Sequence, residues 1–271
     1  YYTELTAGKT SKAGIQTLKT TVEEITGLDI QYYAKVDFGG FVDIVDALGG
    51  VEVDVENAIY DPYYPKGETI YFETFSIDAG LQTLDGETAL KYARSRKTTS
   101  DFDRAKRQQQ LLFAIKEKAL SLDILTNPTK IGEIYNSVDD SIETNLSLGE
   151  ILELGKLAEE FQKDNLYPLV INDDPTACGG LVYTPAREFF SGASVLLPVG
   201  EEYEYVNFFT HIVLNNIQSI SNPTDEIQVL NGTKVEGLAY EGLNLLSRFC
   251  LPVVYYGNST EKPLELSTIY Y

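Results

Sequence analysis

The segment from Tyr92 to Gln110 carries the residues whose types and spacing could do chemistry. Arg94, Arg96, Arg104 and Arg107 fall between positions 94 and 107, in a chain with 21 Lys+Arg against 41 Asp+Glu and a formal charge of -20. So many guanidinium groups in so acidic a chain point to an anion, because arginine offers a planar fork of donors that fits phosphate oxygens in pairs. The competing reading is a network of internal salt bridges to Asp101 or Asp103, and the commonest reading of any charge run is a solvated helix face.

The element that must position these groups is a long helix expected from Ser100 to about Leu122. At about 100° per residue, Arg104, Gln108, Leu111 and Ile115 share one face. The last two belong to an apolar stripe, so Arg104 and Gln108 are expected to extend the buried face toward the helix start. A charge there needs a partner, since burying it alone is expensive. The free N–H groups and dipole of a helix N-terminus favour an anion. Arg94 and Arg96 just precede the helix and can converge on the same point. Arg107 points further to one side and Lys106 away. Two readings stand at this stage: a phosphate or pyrophosphate clamp, and an internal ion-pair network.

Helical spacing marks Thr10–Ile25, ended by Gly27, and a second helix covers Phe41–Leu48, ended by Gly49-Gly50. Strands are expected at Gln31–Asp37, Val51–Val55, Ile70–Phe75 and Tyr167–Ile171. Asp61 to Gly67 reads as a turn-rich loop, and Asp85 as the cap of a short helix reaching Tyr92. Ser147 and Glu150 form a capping-box pattern opening a helix to Gln162, and Tyr203–Ile220 is mainly helical. Residues 221–225 are a linker candidate. Beyond them, a strand at Glu226–Leu230, a helix at Val235–Arg248 and a strand at Leu251–Tyr256 make a small β-α-β unit, and Tyr271 is expected inside a third strand.

Composition sets limits. A charge of -20 argues against nucleic acid and against an anionic membrane bound through bulk charge. His211 is the only histidine, which leaves no room for a multi-histidine metal site or a histidine-based triad. Cys178 and Cys250 lie far apart without metal-site spacing and read as unpaired buried thiols, with a disulfide as the alternative. No apolar run reaches the roughly 20 residues of a membrane helix. The chain holds no methionine and opens on Tyr1-Tyr2-Thr3, so a truncated or processed start is expected.

The same residues carry a resemblance. Ile77 to Arg96, with Leu84-Asp85-Gly86-Glu87-Thr88-Ala89-Leu90 at its centre, is very similar to a segment of the LytR-CpsA-Psr family, and Ser100-Asp101-Phe102-Asp103-Arg104 with Arg107-Gln108-Gln109 resembles that family's helix signature. Val36-Asp37-Phe38, Gly40-Phe41 and Val45-Asp46-Ala47-Leu48-Gly49-Gly50-Val51-Glu52-Val53 resemble it as well. The likeness covers roughly residues 1–220. Ile227 to Thr233 with Gly237-Leu238-Ala239 resembles the small LytR C-terminal domain that often follows.

The resemblance implies an α/β fold: an αβα sandwich with a mixed central sheet and an apolar lipid tunnel at 1–220, a linker at 221–225, and an incomplete C-terminal α/β domain at 226–271. It implies a phosphotransferase that moves a glycopolymer from a polyprenyl-pyrophosphate carrier to peptidoglycan, outside the cytoplasm. Arg94, Arg96, Arg104 and Asp101 would be catalytic, and Arg94, Arg96, Arg104, Arg107 and Gln108 would bind the pyrophosphate. Magnesium or manganese would assist, with ligands in an early segment that, like the family's membrane helix, precedes this chain. The 271 residues alone are therefore expected not to turn over. A pyrophosphatase acting on the same lipid, and a non-catalytic lipid- or wall-binding module, are the alternatives.

Overall fold

The computed structural model describes residues 11–67, 69–96, 100–122, 124, 127–137, 141–160, 169–221, 226–260, 263–264 and 266–269. Along the chain run α1 (Ser11–Thr26), β1 (Ala34–Val36), α2 (Phe38–Ala47), β2 (Val51–Val55), β3 (Ile59–Pro65), β4 (Phe72–Ile77), β5 (Gly80–Leu84), α3 (Gly86–Arg94) and α4 (Asp101–Ser121). Then follow α5 (Pro128–Ser137), β6 (Ile142–Thr144), α6 (Leu148–Glu160), β7 (Val182–Tyr183), β8 (Leu197–Pro198), α7 (Glu204–Ser221), β9 (Ile227–Asn231), α8 (Leu238–Arg248) and β10 (Val253–Asn258). The chain divides into two compact units, Gln31–Pro168 and a second made of Tyr1–Ile30 with Leu169–Tyr271.

In the unit 31–168, β2 alternates as its sequence predicts. Val51, Val53 and Val55 are buried while Glu52 and Asp54 face water. It pairs antiparallel with β5, Val51 opposite Leu84 and Val55 opposite Gly80. β3 pairs antiparallel with β4, and β1 with β6. The strands described pair only in twos, so the α/β character holds but no single mixed central sheet forms among the described residues. The antiparallel partners β3/β4 follow one another directly in the chain, whereas a parallel pair needs a long crossover, and among the described residues the one parallel pair, β9 with β10, is joined through α8.

Two short helices are set by side-chain caps. Asp37 accepts from the Gly40 amide (2.8 Å) at the start of α2, and Asp85 accepts from the Thr88 amide (2.8 Å) at the start of α3. Gly86 gives its amide to Asp46 (2.7 Å), and a Cβ at Gly86 would lie 2.3 Å from the Val42 carbonyl oxygen, so only glycine lets α3 begin against α2. The core gathers Val45, Val51, Val53, Leu84, Ala89 and Leu111, all nearly free of solvent contact. An apolar cavity of about 310 Å³ adjoins it, lined by Ile44, Leu48, Ile115, Ala119, Ile131 and Ile151 among others.

Asp61–Gly67, expected as a loop, is largely strand. Two prolines disguise it. The ladder shifts register between Asp61 and Tyr64, which accommodates Pro62, and Pro65 sits at the strand end; β3 is one side of a two-stranded sheet, where a missing N–H is tolerated. β5 escaped the sequence reading because it opens on Gly80 at φ 102° and mixes Gln82 and Thr83 with its apolar residues. The capping box at Ser147 forms as read: its amide donates to Glu150 (2.8 Å) and the Glu150 amide returns to its hydroxyl (3.3 Å).

In the other unit, α1 packs against α7. The Asn207 amide side chain donates to the Ile25 carbonyl (2.9 Å), which holds the end of α1 in place. Leu181, Val206, Phe209 and Phe249 form a separate core, with the Phe208 and Phe249 rings edge to face at 5.4 Å. The β-α-β reading of the tail is realised: β9 and β10 pair in parallel across α8. Leu169–Ile171, expected in a strand, are not in one; Tyr167 and Pro168 lie outside the described residues. There the backbone at Asn172 instead pairs with Gly179 and Val182. Residues 222–225 of the linker candidate and the terminal Tyr271 also lie outside the described residues, and segments on both sides of 222–225 contribute to one core. No described helix is long and apolar enough to cross a membrane.

The cysteines are not free thiols. Cys178 and Cys250 form a disulfide across 72 residues of sequence, with Cα atoms 4.5 Å apart. The partners meet because Gly179 donates to the Arg248 carbonyl (2.9 Å) and the Arg248 side chain donates back to the Gly180 carbonyl, contacts invisible to sequence spacing. Reduction should lower the stability of this unit by about 2–4 kcal/mol, from the loss of a long loop closure. Urea unfolding with and without reductant measures it, and a Cys178→Ser, Cys250→Ser variant should match the reduced protein.

Candidate phosphate-binding site

The site forms where α3 ends and α4 begins. α3 stops at Arg94, leaving carbonyls near its C-terminus without helical partners. Arg107, buried at 7% exposure, supplies them: Nε donates to the Tyr92 carbonyl (2.9 Å) and Nη2 to the Ser95 carbonyl (2.5 Å). A cation at a helix C-terminus is also favoured by the dipole. Burial works against the charged guanidinium and lowers its pKa, yet arginine stays ionised in any protein setting. The Tyr92 hydroxyl donates to Gln110 (2.8 Å), and Gln110 donates to the Asp54 carbonyl (2.5 Å), which fastens both helices to β2.

α4 begins in a full capping box. Ser100 gives its amide to Asp103 Oδ2 (2.9 Å) and receives the Asp103 amide on its hydroxyl (3.1 Å). The Ser100 hydroxyl and amide together hold the Asp103 carboxyl below the ordinary aspartate range. One residue into α4, Asp101 Oδ1 accepts from both Arg96 Nη2 (3.3 Å) and Arg104 Nη1 (2.5 Å). Arg96 and Asp101 are exposed, at 69% and 61%, and Arg104 is half-buried at 28%. Arg94 lies apart from this trio. Its guanidinium stacks 4.0 Å from the centroid of the Phe38 ring, and Nη1 donates to the Tyr64 hydroxyl at 3.5 Å.

The structure thus joins Arg96, Arg104 and Asp101 directly, and sets Arg94 against aromatic rings at the end of α3. Gln108 is exposed and donates to the Ala93 carbonyl (3.4 Å). The helical face needs correcting. The buried positions of α4 are Arg107, Leu111 and Ala119, at four-residue multiples, so Arg107 and not Arg104 with Gln108 continues the apolar row. Arg104 lies in the first turn, where it meets Asp101 and water; Arg107 lies where α3 presents its last carbonyls. Of the two partners proposed for an internal network, Asp101 takes the arginines and Asp103 the cap.

Sequence reasoning missed Asp61 and Ser95. Asp61 is 2% exposed and Ser95 1%. Asp61 Oδ2 accepts from the Ser95 hydroxyl (2.9 Å) and the Arg96 amide (3.4 Å), and Oδ1 from the Tyr63 amide (3.1 Å). The available signal was strand alternation, since Asp61 follows the buried Ile59 by two residues. Assigning the segment to a loop concealed it.

Among the described residues no three His, Cys, Asp or Glu side chains gather as a metal site. Asp61, Asp101 and Asp103 each accept from the donors named above.

The LytR_cpsA_psr family model matches residues 6–188, more than half of the chain. The chain belongs to this family. Its members that resemble the chain include the cell wall biosynthesis protein LcpA of Corynebacterium glutamicum, 36% identical over 132 residues, 48% of this chain and 24% of LcpA. The polyisoprenyl-teichoic acid–peptidoglycan teichoic acid transferase TagV of Bacillus subtilis is 34% identical over 168 residues, 59% of this chain and 40% of TagV. TagU of Bacillus licheniformis, named as the same kind of transferase, is 30% identical over 179 residues, 65% of this chain and 53% of TagU. The chain spans about a quarter to a half of the length of these relatives. The crystal structure of B. subtilis TagV shares the fold, with a TM-score of 0.53 and 27% identity over 72% of this chain and 68% of that one.

Two outcomes follow from the geometry. Arg107→Lys keeps the charge but loses the fork, leaving a buried carbonyl unmatched, and should destabilise the unit 31–168 by about 1.5–3 kcal/mol in chemical denaturation. Asp103, with its pKa depressed in the folded state, stabilises α4 at pH above the ordinary aspartate value of about 3.9 and loses that contribution as pH falls through its lower folded value. The stability gap between wild type and Asp103→Ala should therefore be widest near neutral pH and close in acid, as read by thermal unfolding at a series of pH values.

Proposed function

We propose that this chain is the glycan-carrier-binding part of a phosphotransferase that moves a glycopolymer from a polyprenyl-pyrophosphate carrier to peptidoglycan, outside the cytoplasm. The observation that carries the reading is the Arg96–Asp101–Arg104 arrangement at the start of α4, in a chain of the LytR_cpsA_psr family. An exposed ion pair contributes only about 0–1 kcal/mol. A pyrophosphate can displace the Asp101 carboxylate and take the same two guanidinium groups with more oxygens and more charge, while the N-terminal dipole of α4 favours the exchange.

Once bound, Arg96 and Arg104 would offset charge building on the phosphoryl oxygens as a peptidoglycan sugar hydroxyl attacks the glycan-bearing phosphorus. The new O–P bond forms as the bond to polyprenyl phosphate breaks, and the hydroxyl proton is released. Fixed cationic donors of this kind supply much of the rate in phosphoryl transfer. The apolar cavity beside α2 and α4 supports a hydrocarbon carrier, since its lining offers almost no polar groups. The Cys178–Cys250 disulfide supports an oxidising compartment. Relatives named for cell wall biosynthesis and for teichoic acid transfer to peptidoglycan support an envelope role and that acceptor. A divalent cation and a membrane anchor come with this reading from the family resemblance.

Binding of a short-chain polyprenyl pyrophosphate by calorimetry tests it. Arg104→Ala should weaken binding by about 1.5–3 kcal/mol, the usual worth of a hydrogen bond to a charged group. Equal binding by wild type and variant, with both folded, would reassign the trio to a structural ion pair.

A further inference from the structure

Asp61 is a buried carboxylate with no lysine or arginine side chain paired to it among the described residues. Isolated burial of a charge is expensive, and it persists where hydrogen bonds replace water. Asp61 has three such bonds, and their directions are informative. Oδ1 takes the Tyr63 amide on its own strand, and Oδ2 takes the Ser95 hydroxyl and the Arg96 amide from the segment after α3. An asparagine could not serve all three, because its NH₂ would face an N–H or O–H donor. On the opposite side, Arg107 holds the Ser95 carbonyl. The peptide that carries Arg96 is therefore gripped from two directions, by a carboxylate on β3 and a guanidinium on α4, while the Arg96 side chain extends into water.

We infer that Asp61 is a positioning residue for Arg96: through the Ser95 hydroxyl and the Arg96 amide it fixes the backbone from which the Arg96 guanidinium reaches the anion beside Arg104. The inference rests on the phosphate reading above. It goes beyond it by naming a residue that touches no ligand and yet sets the affinity. A flexible arginine loses rotamer and backbone entropy when it grips a ligand, and a pinned peptide has already lost the backbone part.

The test uses inorganic pyrophosphate as probe, calorimetry for affinity and amide hydrogen exchange for the backbone, on wild type, Asp61→Asn, Ser95→Ala and Arg96→Ala. Asp61→Asn should raise exchange at Ser95 and Arg96 and weaken pyrophosphate binding about tenfold, the scale of one charge-assisted contact. In the Arg96→Ala background the same substitution should change affinity little, because the residue it acts through is gone. Ser95→Ala, which leaves the carboxylate and the Arg96 amide bond in place, should give a smaller loss of the same kind, and serves if Asp61→Asn does not fold. Unchanged exchange in these variants, wild-type affinity despite raised exchange, or a loss of full size in the Arg96→Ala background would each overturn the positioning role. Wild-type protein that binds no pyrophosphate, while Asp61→Asn still loosens Ser95 and Arg96, would overturn the phosphate reading and leave the pinning itself standing.

Discussion

A guanidinium taken out of water holds the junction of two helices. Arg107 would be costly where it lies if its donors went unmatched, and it is kept there by the Tyr92 and Ser95 carbonyls that α3 leaves open at its end. The match is reciprocal: the helix end needs donors, and the buried charge needs acceptors. Because Arg107 stands in line with Leu111 and Ala119, packing of the apolar row of α4 into the core fixes where the guanidinium lies. Gln110 extends the same fastening through Tyr92 to the Asp54 carbonyl of β2. The interior of the unit thus sets the position of Ser95 and, one peptide later, of Arg96.

What faces water at this junction has the opposite character. Arg96, Asp101 and Arg104 form an exposed ion pair network that solvent and salt weaken. A firm backbone beneath exchangeable side-chain partners suits a site that must release its internal carboxylate to admit an anion. The overall charge of -20 weighs little at the site, because physiological salt screens exposed charges that lie more than about 8 Å away. Within that distance the two guanidinium groups and the start of α4 dominate.

Periodicity carried β2 and the helices other than α5, which the sequence reading did not contain, because their apolar residues repeat at 3.6 or 2 and their caps are local: Asp37, Asp85, Ser100 and Ser147 each act three residues from where they stand. The arginine concentration was legible for the same reason, as composition within a short window. Features made by long-range contacts were not. The Cys178–Cys250 bridge depends on Arg248 meeting Gly180, and β3 is a strand despite Pro62 and Pro65 because it has β4 beside it. The roles of Arg107 and Gln108 turned on where α3 ends in space, which a helical wheel of α4 alone does not contain. Asp61 combined both difficulties, a polar residue in a proline-rich strand whose partners outside that strand lie more than thirty positions away.

The most direct measurement follows the guanidinium ¹⁵N resonances of Arg94, Arg96, Arg104 and Arg107 by NMR as a short-chain polyprenyl pyrophosphate is added. Arg96 and Arg104 should shift together with a single dissociation constant as they exchange Asp101 for phosphate oxygens, and Arg107, committed to its carbonyls, should stay in place. Resonances of Arg96 and Arg104 that do not move while the ligand binds elsewhere, or a shift confined to Arg107, would contradict the account.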